Sequence, residues 1–149
     1  MAQGFVIAHP MPGRELADWA AAWRPDPRWA NVRPVDPLKW PILYATVEHR
    51  AWVAEIEEFL HGNRLGAPRV DHHLCRFGSW LDAEASAGRG ERADFQAIDV
   101  LHQGLHAYAN GILDLKSESE GMPAFPGLTE LHALRDGLLE KLQYFVETA

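Results

Sequence analysis

Seven of the ten prolines fall within the first 41 residues, at positions 10, 12, 25, 27, 34, 37 and 41. Proline has no amide hydrogen and restricts the residue before it, so no continuous helix can run through that stretch. The chain therefore divides into an irregular arm, residues 1–36, and a remainder, residues 37–149, that is free to form regular structure. One short helix fits within the arm between Gly13 and Trp23, because Leu16, Trp19, Ala20 and Trp23 recur at the spacing of one helical face. From Arg24 to Asp36 the arm reads as extended. Trp23, Trp29 and then Trp40 argue that it packs over a core, since disordered segments are normally poor in aromatics.

After the arm the pattern is helical throughout. The first long helix is expected over about Pro37 to His61, with Ile42, Ala45, Trp52, Ile56 and Phe59 inward and His49 filling the remaining place in the series. A Gly-Asn-Arg-Leu-Gly turn at 62–66 separates it from a second helix. That helix is expected to begin with Pro68 in its first turn, carry Cys75, Gly78 and Trp80, and stop at Gly88 and Gly90. A third starts near Asp94 as N-cap and turns Phe95, Ile98, Leu105, Ala109 and Ile112 inward, again with a histidine, His102, in the series. Residues 117–127 form a turn around Pro123 and Pro126, and a last helix buries Leu128, Leu131, Leu138, Leu142 and Phe145. Strand-type alternation is nowhere sustained. These patterns predict an all-α fold, an antiparallel four-helix bundle with an irregular proline-rich N-terminal arm carrying one short helix.

Composition narrows the class of partner. A chain of 149 residues can hide about 68–70% of the surface its unfolded form exposes, enough for a core without disulfides. The single cysteine, Cys75, excludes an intramolecular disulfide. The formal charge of −7 argues against nucleic acid as the main partner, and no run approaches the roughly 20 apolar residues that cross a bilayer. Residues 1–10 lack the basic start and apolar run of a secretory signal, so a cytoplasmic location is expected.

His102 and His106 stand four residues apart, so both imidazoles can face one centre from one helix. Taken alone, such a pair is most simply two hydrogen-bonded core histidines. It does not stand alone, because His49 occupies the inward series of the first helix and Cys75 lies on the second. Three helices thus offer three nitrogens and one sulfur, a closed tetrahedral set suited to Zn²⁺. A closed set implies a bound or sensing metal rather than a hydrolytic one, and no enzymatic activity is expected.

The spacing of these residues resembles the chemoreceptor zinc-binding (CZB) domain. That family's signature is a histidine with an aromatic three residues on, a Cys-x-x-Gly-x-aromatic box, and His-x-x-x-His. Here they are His49 with Trp52, then Cys75-Arg76-Phe77-Gly78-Ser79-Trp80, then His102-Gln103-Gly104-Leu105-His106. The intervals of 26 and 27 residues between His49, Cys75 and His102 are each a helix-length return. The resemblance covers roughly Leu43 to Leu115. It implies that His49, Cys75, His102 and His106 are the zinc ligands, that Gly78 lets helices approach near the metal, and that Trp52 and Trp80 pack over it. Asp71 reads equally well as an acceptor fixing a ligand imidazole or as a first-turn acid. His72 and His73 point away from Cys75 if the segment is helical, which makes them surface residues, with His72 a remote substitute ligand. His9, His61 and His132 take no role in this reading.

Domains of this family regulate diguanylate cyclases or chemoreceptors. The resemblance implies a zinc-binding sensor of zinc or of oxidants acting at Cys75, linked to chemotaxis or cyclic-di-GMP signalling, in a bacterial protein. With no cyclase motif and no chemoreceptor hairpin in the sequence, it is expected to be a stand-alone member that acts through a partner of those types or as a homodimer. The rival class is a metal-dependent enzyme or gas-binding four-helix bundle, with a hemerythrin-like di-iron or DinB-like three-histidine site. A di-iron site wants bridging carboxylates, and no Glu-x-x-His pair lies on these seams. A third class is an interaction module with satisfied core histidines and no metal.

Overall fold

The computed structural model describes residues 7–29, 36, 39–118 and 127–148. The chain separates into two compact units, Met1–Pro34 and Val35–Ala149. In the first, a 3-10 turn at Gly13–Glu15 runs into α1, Leu16–Ala22, and a second 3-10 turn covers Pro27–Trp29. The expected short helix is therefore present and ends where expected, at Trp23. Trp23 lies between Trp19 and Trp29, with ring centroids 6.0 and 6.4 Å away, and none of these elements buries a residue. Of the arm expected to be extended over Arg24–Asp36, residues 30–35 lie outside the described residues, and Pro27–Trp29 form the 3-10 turn instead of extended chain.

The second unit holds four long helices: α2, Trp40–Leu60; α3, Arg76–Ser86; α4, Ala93–Glu118; and α5, Leu128–Thr148. No strand occurs among the described residues, and the fold is an all-α bundle. α5 packs on α2 and α4, and α3 closes the opposite side against the same two helices. Cross-links between helix ends show the directions. The Lys39 ammonium, at the start of α2, donates to the Val146 carbonyl near the end of α5, at 2.6 Å. Phe95, at the start of α4, meets Phe145 edge-on at 5.4 Å. Lys116, near the end of α4, donates to the Leu60 carbonyl that ends α2, at 2.6 Å. α2 and α4 thus run together, antiparallel to α5. α3 also opposes α4, since its Trp80 reaches back to Phe95 while Cys75 at its head meets His102.

Helix ends follow from the glycines. Gly62 and Gly88 have φ of +80° and +78°, which a side chain would resist. At each, two amides close back on the preceding helix: Gly62 to Phe59 and Asn63 to Glu58, then Gly88 to Ala85 and Arg89 to Glu84. Both are Schellman closures, which satisfy carbonyls that a helix end leaves open. The α4 series holds as expected, with Phe95, Ile98, His102, Leu105, Ala109 and Ile112 all buried. On α5, Leu131, Leu138, Leu142 and Phe145 are buried and Leu128 is half-buried. On α2 the face is rotated slightly from expectation: Val53 and Leu60 are buried, while Trp52 and Phe59 lie at its edge. The start expected near Pro37 and residues 119–126 of the turn expected over 117–127 lie outside the described residues, while Ser117 and Glu118 of that turn belong to α4.

Two expectations are corrected. Asp94 is not an N-cap but sits within the first turn of α4, where its charge still suits the helix dipole. More consequentially, the second helix does not begin at Pro68. Residues 67–71 are irregular, His72–Leu74 form a 3-10 turn, and α3 starts only at Arg76. The reason is a double cap. The Asp71 carboxylate accepts from the His73 amide at 2.9 Å, and Cys75, extended at φ −78° and ψ 152°, accepts from the Gly78 amide at 3.1 Å. Each cap holds a residue out of helical geometry, so the path to the site is a bent segment instead of two helical turns.

Candidate metal centre

His49 projects from the middle of α2, His102 and His106 from the middle of α4, and Cys75 from the head of α3. All four expected ligands meet at one place: their donor atoms lie within 4.8 Å of one another. The three imidazoles are 3%, 0% and 2% exposed, and Cys75 is half-buried. Among the described residues no other group of three or more histidines, cysteines or acids comes together in this way.

Each ring of His49 and His106 is oriented by a backbone carbonyl. His49 Nδ1 lies 2.8 Å from the Ala45 carbonyl one turn back, and His106 Nδ1 lies 2.9 Å from the Val70 carbonyl. A carbonyl only accepts, so Nδ1 must carry the hydrogen and, in a neutral ring, Nε2 presents a bare lone pair. Burial keeps the rings neutral. It pushes His102 down to about 2, helped by the neighbouring histidines, and His106 down to about 4 against the opposing pull of the Val70 carbonyl. His49 is lowered chiefly by burial as well. Burial raises the Cys75 thiol, while the Gly78 and Phe77 amides oppose that rise by donating to the sulfur.

The donor set fits a metal ion by a specific test. His49 Nε2, His102 Nδ1 and His106 Nε2 are buried with no hydrogen-bond partner. An unsatisfied buried polar atom costs about 1–3 kcal/mol, and since His102 turns its other nitrogen, Nε2, to the thiol, the open Nε2 atoms of His49 and His106 are the two that a ligand at the cluster would satisfy. Cys75 Sγ stands 3.2 Å from His102 Nε2. Zinc holds nitrogen at about 2.0–2.1 Å and sulfur at about 2.3 Å. Donor atoms already grouped this closely need only small side-chain adjustments to share one such centre. The cluster contains no carboxylate, which sets it apart from a di-iron site.

The surroundings sharpen three expectations. Trp52 does pack on the site: it stacks on His106 with centroids 4.2 Å apart, and its indole donates to the Arg69 carbonyl at 2.8 Å. Among the described residues Trp80 makes no ring contact with the cluster histidines. It stacks on Phe77 at 5.5 Å, and Phe77 meets His102 and His49 edge-on at 5.3 and 5.9 Å. Gly78 is required by a close approach, though of the chain's own turn more than of another helix. A Cβ there would sit 1.8 Å from the His72 carbonyl oxygen and 3.1 Å from the His102 ring. Asp71 caps the 3-10 turn by accepting from the His73 amide, and among the described residues no cluster imidazole donates to it. His73 is exposed, bound to Asp82 at 2.8 Å, but His72 is half-buried beside the ligands. Phe77 and the carbonyls of Ala45 and Val70 were not anticipated as site residues. Phe77 lies within the Cys-x-x-Gly box, whereas a carbonyl's role leaves no trace in residue identity.

A cavity of about 450 Å³ opens onto the cluster, lined by His49, Cys75 and His106 with Trp52, Asp71 and Arg76 among its walls. The Arg76 guanidinium at its edge pairs with Glu48 and lies 4.6 Å over the Tyr44 ring. Among the described residues no helix is long and apolar enough to cross a membrane.

Residues 49–113 match the family model of the chemoreceptor zinc-binding domain. The matched span begins at His49 and contains the other three cluster residues, so the resemblance drawn from the motifs is borne out. No curated protein and no solved structure matches the chain.

Proposed function

We propose that the chain is a zinc-binding regulatory protein whose zinc occupancy, or oxidation state at Cys75, sets how the 69–75 segment sits against α2 and α4. The observation that carries this reading is the convergence of orphaned, buried imidazole nitrogens on a half-buried cysteine. Bound zinc would supply a divalent charge that keeps Cys75 a thiolate and ties three elements together, since metal binding energy is also folding energy.

The chain's own residues do the rest. The Ala45 and Val70 carbonyls hold the Nδ1 protons, leaving Nε2 free to act as a ligand. Phe77 and Trp52 cover the rings and shield them from water. The Gly78 amide donates to Cys75 Sγ, an interaction that strengthens when the sulfur is charged. Because Cys75 lines an open cavity, a small two-electron oxidant such as hypochlorous acid can reach it, and a sulfenate there is a poorer donor. Output in this reading passes to a diguanylate cyclase or chemoreceptor-type partner, or through a homodimer, in the cytoplasm, and the chain itself is not an enzyme.

The test is metal content by mass spectrometry of untagged protein purified without added metal, beside Cys75→Ala and His49→Ala. About one zinc per chain, lost or sharply weakened in both variants, supports the mixed site. No zinc in the wild-type protein, even when zinc is supplied, overturns it. The cavity at the cluster gives a second reading its one support: zinc held fully without Cys75 or any replacement for it would indicate an open three-histidine centre capable of hydrolytic chemistry.

A further inference from the structure

We infer that His72 is a reserve metal ligand, placed to take the position of Cys75 when the sulfur is not available as a donor. The inference rests on the zinc reading above and extends its ligand set by one residue.

The distances point to it. The rings of His49, His102 and His106 stand 4.6–5.7 Å apart, centroid to centroid. The His72 ring lies 6.0 Å from that of His102 and 6.4 Å from that of His106, less than 1 Å beyond the spacing of the ligands themselves. It is half-buried, and among the described residues no hydrogen bond holds its ring, whereas its neighbour His73 is fixed by Asp82 at 2.8 Å. The ring also lies 3.9 Å from that of His73, a ring contact that turning toward the cluster would have to give up.

Its place in the chain selects which ligand it replaces. His72 and Cys75 are the first and last members of one short segment, the 3-10 turn His72–Leu74 and the α3 N-cap that follows. His49 anchors α2, and His102 with His106 anchors α4. If the sulfur is lost, only a donor from the same segment keeps all three elements tied to the metal. His72 is the one histidine of that segment whose ring faces the cluster. Its backbone is already fixed, because its carbonyl rests against Gly78. An all-imidazole set remains a competent zinc site, since zinc accepts nitrogen and sulfur alike. Under this arrangement loss of the thiolate changes the ligand set without expelling the metal.

The test uses the full chain as wild type, His72→Ala, Cys75→Ala, and Cys75→Ala with His72→Ala. Zinc affinity is measured by chelator competition, and the absorption spectrum of the cobalt(II)-loaded protein reports the ligand set. His72→Ala keeps the backbone carbonyl at Gly78, and circular dichroism checks that each variant retains its helices. The expected result is that His72→Ala binds zinc like wild type and keeps the sulfur-to-cobalt band. Cys75→Ala is expected to lose that band but keep a tetrahedral cobalt spectrum and measurable zinc binding. The double variant should then bind zinc at least about tenfold more weakly than Cys75→Ala and lose the tetrahedral spectrum. Equal affinity of Cys75→Ala and the double variant overturns the inference, as does complete loss of zinc in Cys75→Ala alone. Either outcome leaves the zinc reading standing, whereas failure of the wild-type protein to bind zinc defeats both.

Discussion

At the scale of the residue, Gly78 shows how little room the centre has. The glycine weakens a helix by about 1 kcal/mol relative to alanine, a cost that propensity alone would not favour. The His72 carbonyl, 1.8 Å from where a Cβ would be, is what requires it. Gly78→Ala is therefore expected to lower the unfolding free energy by about 1–3 kcal/mol in urea titrations, despite its better helix propensity. It should also weaken zinc binding, because moving the 72–74 turn disturbs Cys75 and the Val70 carbonyl together. A variant as stable as wild type, with unchanged zinc affinity, would show that the turn yields without consequence. Gly78 was legible in the motif as a close-approach residue. The partner in that approach was not, because no residue pattern marks a carbonyl from a 3-10 turn.

At the scale of the element, α3 carries two functions on one side chain. Cys75 belongs to the histidine–cysteine cluster and is also the N-cap of α3, accepting from the Gly78 amide at 3.1 Å. The two roles separate when metal is removed. In chelator-treated protein, Cys75→Ala is expected to lose about 1 kcal/mol for want of a cap. Cys75→Ser, whose hydroxyl caps well, should stay at or above the wild-type melting temperature. If serine and alanine destabilise the metal-free protein equally, the cap contributes nothing. The same element marks the limit of reading by periodicity. Pro68 near a first turn is a sound helix signal, and the apolar rhythm continued past it, yet Asp71 and Cys75 each hold the backbone extended. Cysteine is not among the favoured capping residues, so nothing local announced the later start. The difference matters, because it brings His72 beside the ligands where a continuous helix would have turned it away.

At the scale of the whole molecule, the four cluster residues come from α2, α4 and the head of α3, while α5 supplies none and is held by its own apolar face, with Leu131, Leu138 and Leu142 fully buried. Removing metal should therefore act unevenly. Hydrogen exchange after chelation is expected to quicken across residues 69–80 and around His49, with α5 amides near Leu138 little changed. A uniform rise through all four helices would mean that the metal supports the entire bundle. The bundle itself, the ends of its helices at Gly62 and Gly88, and the four converging residues were determined by the sequence alone. Apolar rhythm, glycine and ligand spacing are local properties that survive in a one-dimensional reading. The tertiary structure alone decided which nitrogen of each histidine faces the centre, that Phe77 and not Trp80 covers it, and that His72 stands within reach. Those outcomes depend on backbone carbonyls and amides, identical in every residue, which gain a role only from where the fold places them.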